Sequence, residues 1–397
     1  KHFSLVSSLL AGLVVSSAAI GAAAPVPPAT AAAAASTASA NGPATDQLIV
    51  RMADGSAPDV VALAQLAGEP VATGRRLAHG ATVTKLGRAR PVADVAALAA
   101  RVAALPGVAY AEPDLRLAPL AVPTDPRWAE QWDMAATSFG ANLPAAWDVT
   151  KGTGDVVVAV IDTGITKHAE LSGQTVPGYD FISDARIGND GTARDADPSD
   201  TGDWITATEA AAGFFAGCPV GNSSWHGTHV SGTIAAKQDN GIGISGIAPN
   251  VKVLPVRVLG KCGGYTSDIV DGMRWAAGLS VAGVPANPNP ASVLSMSLGG
   301  SGACGATQQA AINDITALGA TVVVAAGNSN LDASGFNPAN CNGVITVAAT
   351  GSTGSRAYYS NYGASVEIAA QGGDSRLVPG AVLSTIDAGT TSPAGDT

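Results

Sequence analysis

His226 opens the run His226-Gly227-Thr228-His229-Val230-Ser231-Gly232-Thr233, entered through turn-forming residues and followed by small and apolar ones without a proline. The pattern predicts a loop feeding a helix that is buried on nearly every side. A histidine at the mouth of such a helix is held rigidly with one face open. Imidazole is also the side chain best suited to take and return a proton near neutral pH. Two further stretches place polar groups directly after apolar runs: Val158 to Ile161 ends in Asp162-Thr163-Gly164, and Thr321 to Ala326 ends in Gly327-Asn328. Taken alone, the aspartate reads equally as a turn or cap residue and as a held carboxylate. The asparagine reads as a turn residue or as an amide aimed into a site. His229, three residues after His226, raises a metal alternative, but neither a suitably spaced Glu nor a third ligand accompanies the pair.

These groups need a scaffold, and the chain from Asp155 supplies its pattern. Apolar strands are expected at Val156–Ile161, Val251–Val258, Ser292–Met296, Thr321–Ala326 and Val344–Ala349. Helical patterns lie between them at Val230–Ala236, Thr266–Leu279 and Thr307–Leu318. Continuous apolar strands alternating with helices predict an α/β fold with a doubly wound, mostly parallel sheet, whose sites form beyond the carboxyl ends of the strands. Upstream, strand Gln47–Met52, helix Ala57–Ala67, strand Ala81–Leu86, helix Val92–Leu105 and strand Val108–Asp114 fit a small α+β unit of the split βαβ, ferredoxin-like kind. The first residues, with the apolar run Phe3–Ile20 and Ala22-Ala23-Ala24, read as a secretory signal too short and serine-rich to span a membrane. The expected organisation is a signal at 1–24, an Ala/Pro-rich linker at 25–44, the α+β unit at 45–120 and the large domain at 121–397.

Composition narrows the functions. Only 13% of residues are charged and the net charge is −10. Eight basic residues face seven acidic ones between 45 and 120, but only twelve face twenty-four from 121 onward. An acidic body argues against a nucleic-acid partner. No Gly-x-Gly-x-x-Gly opens a helix after a strand, which argues against a nucleotide site. Cys218, Cys262, Cys304 and Cys341 are widely spaced, an even count in an exported chain that favours two disulfides over zinc. Their three possible pairings stay open on spacing alone. Asp195, Asp197, Asp200 and Asp203 crowd one polar loop, where a hard cation such as calcium would relieve their repulsion.

Asp162, His226, Asn328 and Ser295-Met296-Ser297-Leu298-Gly299-Gly300 together resemble the subtilisin-like serine endopeptidases, the subtilases of peptidase family S8. The resemblance covers roughly Val122 to the end and rests most firmly on His-Gly-Thr-His-Val-Ser-Gly-Thr. It implies His226 as general base, Asp162 as its orienting carboxylate, Asn328 as oxyanion donor and Ser297, Leu298, Gly299 and Gly300 as the edge that pairs with substrate backbone. It also implies the α+β unit as an inhibitory propeptide, peptide or protein substrates, no catalytic cofactor, structural calcium, a monomer and export from the cell. Disulfides Cys218–Cys262 and Cys304–Cys341 follow from the same resemblance. A second family calcium site has its nearest matches in Gln131, Glu170 and Asn240, although neither loop has the commonest length. His229 becomes structural.

The chain departs from the family at the nucleophile. Gly-Thr-Ser-Met-Ala-x-Pro does not occur, and Gly389-Thr390-Thr391-Ser392-Pro393-Ala394 lacks the apolar helix that should follow. The serine is therefore expected beyond Thr397, with the fragment itself inactive. A non-catalytic scaffold that has lost its serine is the alternative. An aspartic peptidase is disfavoured: Asp200-Thr201-Gly202 repeats the Asp-Thr-Gly of residue 162, but the polar Asp-Ala-Asp-Pro-Ser precedes it instead of an apolar strand.

Overall fold

The computed structural model describes residues 44–116 and 122–397. The expected signal and most of the expected linker, as well as the Leu120 junction, lie outside the described residues. The described chain forms two compact units, one on either side of that junction.

The first unit is a four-stranded antiparallel sheet with two helices. Its strands are β1 (Ala44–Met52), β2 (Val71–Arg76), β3 (Thr82–Pro91) and β4 (Val108–Pro113), in the order β2-β3-β1-β4. Helices Val60–Ala67 and Val92–Ala103 cover one face, closing a core of Leu48, Val50, Leu63, Leu86, Val95, Leu98 and Val102. Asp59 caps the first helix by accepting from the N–H groups of Val61 and Ala62, and left-handed Gly68 ends it. The topology is ferredoxin-like, with one strand more than the pattern shows. Strand β2 is almost wholly exposed after Val71, so it carries no apolar alternation to betray it.

The second unit is built on a seven-stranded parallel sheet. Its strands are β5 (Val157–Asp162), β6 (Tyr179–Asp180), β7 (Lys252–Arg257), β8 (Val293–Met296), β10 (Thr321–Ala325), β12 (Val344–Thr350) and β13 (Ile368–Gln371). A separate two-stranded ribbon pairs β9 (Gly300–Ser301) with β11 (Phe336–Asn337). The sheet order β13-β12-β10-β8-β5-β7-β6 reverses direction at β5, which opens a crevice beyond the carboxyl ends of β5 and β8. This is the doubly wound α/β sheet expected, with β6 and β13 added at its margins.

Both faces are covered, and the period of two along β5 assigns them. Val157, Ala159 and Ile161 enter the larger core with Phe181, Leu254, Met273, Trp275 and Ile312, beneath helices Thr266–Ala276 and Ala306–Ala317. Val158 and Val160 face the other way, against Val230, Ile234 and Ala235 of helix His226–Ala235. Each such buried aliphatic side chain contributes about 1.5–3 kcal/mol. The next residue in that second register is Asp162, so the alternation that builds the core also turns this carboxylate toward the helix of His226.

Candidate active site

Asp162 ends β5 fully buried, while the side chain of His226 is 43% exposed. The ring Nδ1 donates to the carboxylate, at 2.7 Å from Oδ1 and 2.9 Å from Oδ2. The helix begins here because Trp225 takes a left-handed conformation, its indole buried and donating to Gly389 O at 2.7 Å. Contact between the helix mouth and the turn after β5 requires glycine on both sides. A Cβ on Gly227 would collide with the carbonyl of Gly164, and Gly164 itself sits at φ +100°.

The hydrogen bond to Asp162 raises the His226 pKa above its ordinary value against the opposing effect of burial, and Asp203 and Asp200 add to the rise. His229 responds oppositely, lowered mainly by burial and then by repulsion from His226. His226 therefore has the environment of a base that an adjacent carboxylate orients and that stabilises its own protonated form.

Asn328 lies beyond the end of β10, exposed, and its side chain makes no hydrogen bond among the described residues. It opens onto a cleft of about 810 Å³ walled on one side by Ser297 to Ser301 and on the other by Ala325 to Ser329. The expected edge residues Ser297, Leu298, Gly299 and Gly300 thus share one cleft with Asn328. Disulfides join Cys218 to Cys262 and Cys304 to Cys341, the pairing that the resemblance implied. Both Cys262 and the Gly263-Gly264 turn line this cleft.

The acidic loop is laced with local hydrogen bonds. Asp195 accepts from the N–H of Asp197 and from Thr192, and Asp197 from Ser199. Asp203 is taken by Ser224 and Asp200 by Thr163 and Gly202. Each carboxylate is turned to its own donors, and no group of three or more His, Cys, Asp or Glu able to hold a metal forms among the described residues. Short-range turn hydrogen bonds thus spread the carboxylates of Asp195, Asp197, Asp200 and Asp203 over separate donors.

Of the second set, Gln131 goes elsewhere, exchanging hydrogen bonds with the backbone of Ser245. Glu170 and Asn240 do meet at 2.8 Å, and buried Asp125 joins them through the N–H groups of Asp239 and Asn240. Burial raises the Glu170 pKa, and Asp125 adds to it. Asp125 and Glu170 thus bring two buried carboxylates into one neighbourhood, each held by its own donors, with the Asn240 amide turned nitrogen-first to Glu170.

Thr163, to which the sequence assigned no role, completes the support of the histidine. Thr163 donates through Oγ1 to Asp200 at 2.6 Å and accepts at that same oxygen from the N–H of Gly227 at 3.0 Å. The chain Asp200–Thr163–Gly227 thus ties the residue after Asp162 to the residue after His226. Burial pushes Asp200 up to about 6. The two Asp-Thr-Gly stretches do come together, but through this threonine. Asp162 turns to His226, and no hydrogen bond links the two carboxylates. The repeated motif was the available signal.

Residues 386–397 form a hairpin gathered on Asp387, which accepts from the N–H groups of Gly389, Ala394 and Gly395. Ser392 is exposed on it and makes no side-chain hydrogen bond to His226.

The sequence profile of the subtilase family matches residues 153–397, more than half of the chain. The chain belongs to the subtilase family. An extracellular protease of Xanthomonas campestris pv. campestris is 49% identical over 319 residues, covering 80% of this chain and 53% of that protein. An extracellular basic protease of Dichelobacter nodosus is 47% identical over 297 residues, covering 74% of this subtilase chain and 47% of the relative. The chain thus spans about half the length of these two relatives. A solved protease structure from Pseudoalteromonas arctica PAMC 21717 superposes with a TM-score of 0.66 at 52% identity, over 70% of this chain and 80% of that one. Among the described residues, no helix of this subtilase is long and apolar enough to cross a membrane.

Proposed function

We propose that this chain is part of the precursor of a secreted serine endopeptidase, in which Asp162 and His226 are two members of a triad whose serine is supplied outside residues 1–397. The observation that carries the reading is the Asp162–His226 pair, one buried carboxylate bonded to the Nδ1 of a half-exposed imidazole within a subtilase frame. His226 Nε2 takes the proton of the serine hydroxyl as it attacks the peptide carbonyl and returns it to the leaving amine. Asp162 holds the productive tautomer and stabilises the imidazolium. The Asn328 amide donates to the oxygen on which charge develops, and the Ser297–Gly300 edge pairs with the substrate backbone. The chemistry needs no cofactor. The unit of residues 44–116 serves as propeptide, an intramolecular inhibitor and folding aid released near residue 120. The signal at 1–24 directs export, and the mature enzyme is a monomer.

In the complete protein a fluorophosphonate probe is expected to label one serine outside this chain. The value of kcat/KM should fall on acidification through a pKa above the ordinary histidine value of about 6.5. The sign follows from the site: Asp162 favours the protonated ring, and only the neutral ring accepts a proton, so the acid limb moves upward. Labelling of Ser392 would reassign the nucleophile, and absence of labelling would favour the scaffold reading.

Structural calcium enters this reading at Asp125, Glu170 and Asn240, where it would neutralise buried charge and take no part in the chemistry. Calcium is expected to raise Tm relative to EDTA, and Glu170→Gln to remove most of the difference. An unchanged Tm in the parent protein would discard the site.

A further inference from the structure

The half-exposed ring of His226 hydrogen-bonds only to Asp162 among the described residues, so the rest of its aim comes from the backbone that carries it. That backbone turns at Trp225, whose φ of +51° and ψ of +31° put a bulky residue in the left-handed region. Among the described residues Asn142, Asn189, Asp239, Cys262 and Asn330 also take a positive φ. Four of these are the Asn and Asp types that tolerate it, and Cys262 is held by a disulfide. Trp225 has neither advantage. Nor does a side chain cap the helix, although a polar residue at this position is the usual way to fix a helix start. What holds the turn is the indole, which is 1% exposed and donates through Nε1 to Gly389 O at 2.7 Å. A strained residue persists only where its surroundings over-determine it, and such residues gather where geometry matters to function.

We propose that Trp225 is a positioning residue of the peptidase reaction: its buried indole, anchored on Gly389 O, locks the left-handed turn that aims His226 at the reacting serine. The inference rests on the peptidase reading. The acceptor end is built as firmly as the donor end. Buried Asp387 accepts from the N–H groups of Gly389, Ala394 and Gly395, and a Cβ on Gly389 would lie 2.0 Å from Ser392 O. Neighbouring contacts continue the same seam. Ser223 donates through its N–H to Thr390 O at 2.9 Å and through its hydroxyl to Thr391 O. Thr385 donates to Thr228 O at 2.8 Å and Ser384 to His229 O at 2.6 Å, both in the first turn of the helix. Segment 384–391 is thus laced along the helix and its entry loop, and the indole is the tie directly beside the catalytic base. The Nε2 of His226 stands several bonds from its Cα, so a small rotation of the turn is enlarged at the atom that moves the proton. A displacement of about 1 Å there costs on the order of 10²-fold in rate.

The test uses the complete, processed protease. Trp225→Phe removes the donor and keeps an aromatic ring. Gly389→Ala keeps the indole and displaces its acceptor, because the added Cβ collides with Ser392 O. Both are expected to lower kcat, by about tenfold for Trp225→Phe and less for Gly389→Ala. KM should stay within about twofold, since the cleft walls at 297–301 and 325–329 are other elements. The acid limb of kcat/KM should also move down toward the ordinary histidine value of about 6.5. A ring that no longer meets Asp162 squarely loses the bond that raises its pKa, while its other charged neighbours, Asp200, Asp203 and His229, are untouched by either substitution. Ser223→Ala is the comparison: it removes one bond of the same seam without altering the turn, and its kcat and acid limb are expected to match the parent. Three results would make the indole structural only and overturn the proposal while leaving the peptidase reading intact. They are a Trp225→Phe enzyme that melts lower but keeps its kcat and acid limb, a Ser223→Ala enzyme that changes as much, or no folded protein from either Trp225→Phe or Gly389→Ala. A parent enzyme that neither hydrolyses peptides nor takes the fluorophosphonate label would overturn both.

Discussion

Replacing His226 with alanine in the complete protein is expected to lower kcat on the order of 10⁶-fold, the scale established for the same triad in subtilisin itself, not one derived from this fold. KM should change little, because the Ser297–Gly300 edge and the cleft are built from other elements. Propeptide release should stop as well, if it is the protease's own reaction. The substitution also strands Asp162, which is fully buried and would keep only the N–H of Thr163 as partner. A carboxylate so exposed to desolvation costs about 1–3 kcal/mol, so some thermal destabilisation should accompany the loss. Steady-state kinetics, a denaturation curve and a gel for the processed form separate the effects. Hydrolysis and processing that survive in His226→Ala would remove His226 from the mechanism.

Opening the Cys304–Cys341 bridge by the paired change Cys304→Ser and Cys341→Ser is expected to cost the second unit about 4 kcal/mol. The chain-entropy relation gives that value for the 37-residue separation. For a unit of this size the corresponding fall in Tm is roughly 8–16 °C. The bridge ties the segment entering helix Ala306–Ala317 to the turn after β11. Calorimetry on parent and double variant measures the loss, and a shift of less than about 1 kcal/mol would show that packing around buried Cys341 already supplies the constraint. Opening Cys218–Cys262, which closes a similar span of 44 residues, should be comparably costly.

Most strands and helices were legible in the residues because their signal is local. Val157 to Ile161 is an unbroken apolar run between turn residues, and a strand covered on both faces produces that run wherever it sits in the sheet. The motif around His226 was legible for a related reason: Gly227 and small helix residues are required by contacts immediately beside the histidine. Elements that are exposed or very short gave no such signal. Strand β2 exposes nearly every side chain, and β6 has only two residues, so each exists by virtue of its neighbour's hydrogen bonds.

What side chains do in combination was settled in three dimensions. Asp195, Asp197, Asp200 and Asp203 have the composition of a cation loop, but hydrogen bonds within the turn and across to Thr163 and Ser224 pull their carboxylates apart. Two Asp-Thr-Gly triplets look alike in sequence, yet one carboxylate reaches a histidine 64 residues away and the other a threonine hydroxyl. Residue types and their local periodicity thus determine which elements form and which chemistry is on offer. Which partners meet is decided by tertiary contacts, because a hydrogen bond depends on direction and distance that spacing along the chain does not encode.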